Sequence, residues 1–328
     1  MSPNSASIPG AATDKMEWHI SETRLASAGE APYCRTMSSL ARGYILGLVG
    51  VAIFSLTLPL TRIAVSELDP LFISLGRTVF AAAIALPLLL ISRQPVPSVT
   101  DLKQLLFVAS GVVFGFPLLS AIAMKSVPAS HGGVVLGALP LATAAMSTVF
   151  AGERPSPVFW FWAILGSLAV ISFALWDSGL TLHAGDGLLL AALLAASVGY
   201  AAGGNLSRSL GGWQVICWAL VVGLPVTLPA TIMLFPAHAR DVSMTSWSSF
   251  AYLAVMSQLV GFFAWNKGLA VGGVARVGQV QLLQTFMTLG AAALINSEPL
   301  TLRTTGFGLL VALCVWFGRK AKVAAPER

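Results

Sequence analysis

Residues 70–91 read PLFISLGRTVFAAAIALPLLLI, an apolar run whose single charge is Arg77. A buried strand in a soluble protein ends after about 4–8 residues, and a surface helix carries charge on every turn. This stretch does neither. At 1.5 Å per residue about 20 such residues cross a hydrocarbon layer about 30 Å thick, so the run reads as a transmembrane helix.

Working outward, nine further apolar runs of similar length fall at about 43–65, 102–124, 131–150, 157–177, 185–206, 213–235, 246–266, 274–295 and 303–319. Short separators rich in charge, Pro or Gly divide them, among them SELDP, GERPSP, SRSLGG and NSEPLTLR. The reading is an all-α integral membrane protein of ten transmembrane helices, with no room for a soluble domain. Composition agrees, since 56% of the 328 residues are hydrophobic and 10% charged, against about 25% charged in soluble domains. Residues 1–42, without an apolar run, read as a disordered cytoplasmic tail. Met37 and the basic SSLARG that follows offer an alternative start. Residues 320–328 form a second cytoplasmic tail.

The net charge of +6 reads as an orientation signal and not as a nucleic-acid footprint, because Lys and Arg sit in the tails and at span ends. With the N-terminus inside, fourteen basic residues fall on the cytoplasmic side, four outside and Arg77 within a span. The loops alone divide six against four, so the tails carry most of the bias. Both termini are expected to be cytoplasmic, in the plasma membrane. Cys34, Cys217 and Cys314 lack CxxC spacing, and the four histidines, His19, His131, His183 and His238, form no cluster, so no metal or other cofactor is expected.

The apolar block repeats with an offset of 142 residues: Ser55 matches Ser197, Leu86-Pro87 matches Leu228-Pro229, and Lys125 matches Lys267. Beyond the lysines a three-residue shift aligns Glu153 with Glu298. The halves, 43–178 and 185–319, each hold five spans. Because five is odd, they lie inverted to one another, the arrangement of carriers that alternate access to a midplane site. Retention of an old duplication for packing alone is the alternative.

Arg77 lies about 10 Å below the expected outer surface. An Arg at mid-membrane costs at least about 2.5–3.5 kcal/mol, so it should face the bundle interior and a partner. It either holds an anionic group of a substrate, or snorkels or pairs with Glu67 or Asp69. In the ninth span Gln281, Gln284, Thr285 and Thr288 recur at helical spacing and share one face. That face lines a path or bonds neighbouring helices. Pro140 and Thr143 stand in the fourth span, Gln258 in the eighth and Trp218 in the seventh. Trp218 and Trp265 serve either an apolar substrate or the core. Every acidic residue falls in a tail, a loop or a span end, which disfavours a cation pump and favours neutral, zwitterionic or anionic solutes. The pairs Gly111/Gly115 and Gly199/Gly203 read as close-packing sites.

Lys125, Pro140 and GERPSP repeating as Lys267, Gln284-Thr285 and SEPLT, with Arg77 in a span opened by Asp69-Pro70, make the chain resemble the EamA-type drug/metabolite transporters. The resemblance covers about residues 40–320. It implies two inverted five-helix repeats around a central cavity, and movement of small metabolites, often amino acids, without ATP. The proline usual in the ninth span is replaced here by Gln284-Thr285. The expectation is a secondary carrier with a small-molecule solute and the lipid bilayer as partners; oligomeric state has no signature. Two rivals are a membrane enzyme acting on lipid head groups, for which no nucleophile, metal site or acid pair can be named, and a non-transporting scaffold or receptor. Candidate contacts are Arg77, Gln281, Gln284, Thr285, Pro140, Thr143, Gln258 and Trp218.

Overall fold

The computed structural model describes residues 39–152, 154–177, 184–320 and 323–324. The tail reading for residues 1–38 and the matched Glu153 lie outside the described residues. The chain divides into two units, Met1–Ala41 and Arg42–Arg328, and the second holds the helical core.

The helices in chain order are α1 (Ser39–Ala64), α2 (Pro70–Ile91), α3 (Val99–Ala123), α4 (Ala129–Phe150), α5 (Pro157–Asp177), α6 (Ala184–Leu206), α7 (Gly212–Met233) and α8 (Met244–Gly272). Next come α9, running as Val274–Val277, Gly278–Val280 and Gln281–Ile295, and α10 (Leu302–Lys320). Seven of them, α1–α4 and α6–α8, are long and apolar enough to cross a membrane. The apolar parts of α5 and α10 are shorter, and α9 is broken by the 3₁₀ turn Gly278–Val280. The only strand pairing among the described residues joins Arg154–Pro155 antiparallel to Val323–Ala324.

The boundaries follow from local chemistry. Asp69 accepts from the backbone N–H groups of Leu71 and Phe72 at 2.8 and 3.3 Å, and Pro70 then opens α2 without wasting a donor. Ser98 and Asp101 form a capping box that starts α3. The two largest departures from the boundaries read in the sequence are in α1 and α8. α1 begins at Ser39, and α8 continues past Asn266 through Lys267 to Gly272. In the extra turn of α8 Gly268 lies close against α1, where an added Cβ would come within 2.9 Å of Gly47 N. The helix stops at Gly273, whose φ of +90° suits glycine.

Three pairs of equivalent helices are neighbours: α2 packs most extensively on α7, α5 on α10, and the start of α4 on α9. The third helix of each half contains a π-helical stretch, Ala109–Gly115 in α3 and Leu253–Val260 in α8. The sequence repeat is thus matched by a repeat of an unusual local geometry. Glycines allow α3 to approach α6, since a Cβ on Gly111 would lie 2.6 Å from Gly199 N.

The outward faces are apolar. On α5, Val158, Phe161, Ile164, Leu165 and Leu168 are all exposed, Phe161 to 61%. In water this would be a large adhesive patch; against lipid tails it costs nothing. Inside, buried hydroxyls return to the preceding turn, as Ser74 does to Pro70 O at 2.6 Å and Thr61 to Thr57 O at 2.6 Å.

Candidate functional site

Arg77 sits on the buried face of α2 with only 3% of its surface exposed. Its Nη2 donates to Ser257 Oγ of α8 at 3.0 Å, and Ser257 Oγ is 2.8 Å from Thr57 Oγ1 of α1. Arg77 Nε has no hydrogen-bond partner. Neither acidic residue that the sequence offered as a partner takes that role. Asp69 caps α2, while Glu67 accepts from the backbone N–H of Ser243 at 2.6 Å and from its hydroxyl at 2.8 Å. The guanidinium is therefore held by one hydroxyl, itself bonded to a second, and not neutralised by a bonded carboxylate.

The two π-helical stretches meet beside it. A π turn loosens the regular i to i−4 ladder and is often found at functional sites. Here Val112 O of α3 accepts a hydrogen bond from Gln258 Nε2 of α8 at 3.0 Å, so one widened helix reads the other. Gln258 is fully buried, and its Oε1 is left without a partner. Gln284 Oε1 on α9 is likewise unpartnered. Buried polar atoms normally find partners, so such a set marks a place where a ligand or water belongs.

These groups border a narrow, nearly closed cavity of about 10 Å³, lined by Phe54, Thr57, Arg77, Val112, Phe116, Tyr200, Ser257, Gln258, Phe262 and Gln284. One wall is aromatic. Phe54 and Phe262 rings lie 5.0 Å apart, Tyr200 and Phe262 5.9 Å, and Tyr200 and Trp265 5.4 Å. The lining carries one positive charge and no acidic side chain. Such a site offers a strong donor, two free amide oxygens and an aromatic wall.

Of the residues the sequence singled out, Arg77, Gln258 and Gln284 share this cavity. The others lie apart from its lining. Thr285 is buried against α4, where a Cβ on Gly137 would come within 3.0 Å of its Oγ1, and Thr288 donates to Ser55 O of α1 at 3.0 Å. Gln281 is buried with both amide atoms unpartnered, and Thr143 on α4 is fully buried with an unpartnered hydroxyl. Pro140 opens the last helical piece of α4 just after a 3₁₀ turn, and Trp218 packs half-buried against the core from α7. Thr57, Ser257, Tyr200 and the phenylalanines were not singled out, because single hydroxyls and aromatics in apolar spans carry no periodic signal.

A second polar centre was also missed. His131 Nε2, at the start of α4, lies 2.8 Å from Asp186 Oδ1 in the first turn of α6, and both side chains are buried. One residue before the histidine, Glu298 bridges the backbone N–H groups of Ala129 and Ser130 at 2.8 Å each. Among the described residues no group of three or more His, Cys, Asp or Glu could hold a metal ion.

Residues 41–175 and 183–317 each match the model of the EamA-like transporter family. The two matched stretches begin 142 residues apart, the offset read from the sequence. The uncharacterized transporter YdeK of Bacillus subtilis is 45% identical over 284 residues, covering 87% of this chain and 99% of the relative. A protein of Streptantibioticus cattleyicolor described as a probable terminal-alkyne amino-acid exporter is 26% identical over 220 residues, covering 62% of this chain and 70% of the exporter. One crystal structure superposes with a TM-score of 0.63 at 16% identity, covering 84% of this chain and 97% of that one, which speaks for the fold alone.

Proposed function

This chain belongs to the EamA-like transporter family, and from that premise we propose that it is a secondary carrier of small zwitterionic solutes, amino acids first among them. It is a multi-pass membrane transporter and not an enzyme. The finer reading has all ten helices crossing the plasma membrane, both termini cytoplasmic, and two inverted five-helix halves rocking about the Arg77 cavity without ATP.

The observation that carries the solute class is the pairing of a buried, uncompensated guanidinium with two unpartnered amide oxygens across one cavity. A carboxylate fits Arg77, where charge-assisted hydrogen bonds are the strong ones. An ammonium group fits Gln258 Oε1 and Gln284 Oε1, and an apolar side chain fits the wall of Phe54, Tyr200 and Phe262. A lipophilic cation would meet the repulsion of Arg77 with no acid to offset it. The name given to the Streptantibioticus exporter supports an amino-acid solute.

Purified protein in sealed vesicles, preloaded with an unlabelled amino acid and given the labelled one outside, tests this directly. Counterflow of L-amino acids with apolar side chains is expected, and little for their amides or methyl esters, which lack the carboxylate. Equal counterflow of acid and ester would overturn the zwitterion assignment. No flux of any solute by folded protein would favour a scaffold or receptor instead.

A further inference from the structure

We propose that the cavity framed by the end of α2, the start of α7 and the end of α8 is a binding site for an anionic phospholipid, with the lipid phosphate against Lys267. The site shares no lining residue with the Arg77 cavity, and the inference does not rest on the carrier reading.

The cavity has a volume of about 500 Å³ and is lined by Leu88 of α2, by Gly211 to Gln214 at the start of α7, and by Phe263 and Lys267 of α8. Sites for small molecules span about 300–1,000 Å³. The rings of Trp213 and Phe263 lie 6.4 Å apart and, with Leu88, make the walls apolar. Phe263 and Lys267 are one turn apart and share a face of α8. Lys267 is exposed and makes no ion pair among the described residues. An ammonium beside apolar walls, with no acid to compensate it, suits a ligand that joins an anion to hydrocarbon.

The start of α7 adds polar groups to the same space. The helix begins at Gly212 without a side-chain cap, so the N–H groups of its first turn are open to an anion. A Cβ on Gly212 would lie 2.6 Å from Lys267 N, and Asn266 Nδ2 donates to Gly212 O at 3.2 Å, which fixes this turn against α8. Gln214 Nε2 donates to Gln94 Oε1 at 3.3 Å, while Gln214 Oε1 has no partner. A head-group hydroxyl, as in phosphatidylglycerol, would supply the missing donor.

Charge around the cavity has one sign. Residues 88–104, 205–215 and 260–272 carry Arg93, Lys103, Arg208 and Lys267, all exposed, against the single acid Asp101, which belongs to the cap of α3. At the opposite ends of α2, α7 and α8, residues 62–72 and 233–246 carry Glu67, Asp69 and Asp241 beside Arg62 and Arg240. Only the cavity end therefore matches an anionic leaflet. Trp213 marks the depth, because Trp is enriched where head groups meet hydrocarbon. Phe263, one turn deeper than Lys267, then meets the acyl chains. A lipid seated there would tie together the ends of α2 and α8, the two helices across which Arg77 donates to Ser257.

Native mass spectrometry of the full chain, delipidated in detergent, tests this with phosphatidylglycerol, phosphatidylcholine and inorganic phosphate added separately. Phosphatidylglycerol is expected to bind at least about fivefold more tightly than phosphatidylcholine, the effect of about one basic group at an anionic surface. That preference should be lost in Lys267→Gln and kept in Lys125→Gln, at the opposite end. A photoactivatable phosphatidylglycerol should label wild-type peptides that contain residues 211–214 or 263–267. Equal binding of the two lipids, or an unchanged preference in Lys267→Gln, overturns the proposal. So does labelling confined to other helices, whether or not the variants fold. Displacement of the bound lipid by millimolar inorganic phosphate would reveal a site for free anions and overturn the lipid assignment.

Discussion

The Arg77 cavity and the start of α4 are both buried and polar, and they treat their polar atoms in opposite ways. At the start of α4, Glu298 satisfies two backbone donors at once, and His131 and Asp186 satisfy each other. In the cavity, Arg77 Nε, Gln258 Oε1 and Gln284 Oε1 are left unmet. A fully satisfied network fixes one arrangement, whereas unmet capacity in a dry interior is tolerated where a ligand supplies what is missing. The difference separates a fastening between helices from a site of recognition.

Removing charge from the cavity should have the largest effect. Arg77→Ala is expected to reduce counterflow at least about 100-fold, a loss of about 2.7 kcal/mol, with expression retained. Arg77→Lys should recover only part, because an ammonium cannot hold Ser257 and a carboxylate in one plane. Unchanged affinity in Arg77→Ala would reduce the guanidinium to a structural charge and dissolve the contrast.

The next largest effect concerns the scaffold that both regions share. Gly111→Val forces side-chain atoms toward Gly199 N and Cα, which an added Cβ alone would approach to 2.6 and 2.8 Å. It should lower stability by about 1–3 kcal/mol, seen as a fall in Tm in detergent. A neutral result would mean that α3 and α6 can separate without loss.

A smaller change is expected at the fastening. Glu298→Gln keeps the shape but offers one acceptor oxygen to two donors, so about 1–2 kcal/mol is lost locally. Faster amide exchange at Ala129 and Ser130 checks this, and unchanged exchange would show that the start of α4 is held elsewhere.

The smallest effect is at the other carboxylate cap. Glu67 titrates below the usual 4.5 because the Ser243 N–H and hydroxyl favour its ionised form. A lowered value in the folded state means that the cap is in place above the usual carboxylate range and is lost as pH falls through the lowered value. Exchange at Ser243–Ser246 should therefore rise only in strong acid. A rise already near neutral pH would show that Glu67 does not cap α8.

Much of this fold was legible because a bilayer imposes length and apolarity on the helices that cross it, and seven of them meet both conditions. The run 70–91 coincides with α2, and the 142-residue offset recurs in the two family matches. The end of α8 was misjudged because Lys267 and the following glycines look like a break, whereas Gly268 is a contact with α1. Within the cavity, Arg77 was legible as the one charge in a span, and its partner was not. Ser257 and Thr57 are 200 residues apart and carry nothing unusual in their own neighbourhoods.

The chain by itself determined that it is built of apolar helices, that they repeat in two halves, and that one arginine is enclosed among them, because those facts follow from composition and local spacing. Tertiary structure alone decided which polar groups meet. His131 and Asp186 stand 55 residues apart at the starts of different helices, and each alone reads as a span-end residue. Hydrogen bonds reach about 3 Å, so the partners of a polar atom depend on how helices pack in space, and no local pattern in one chain records that.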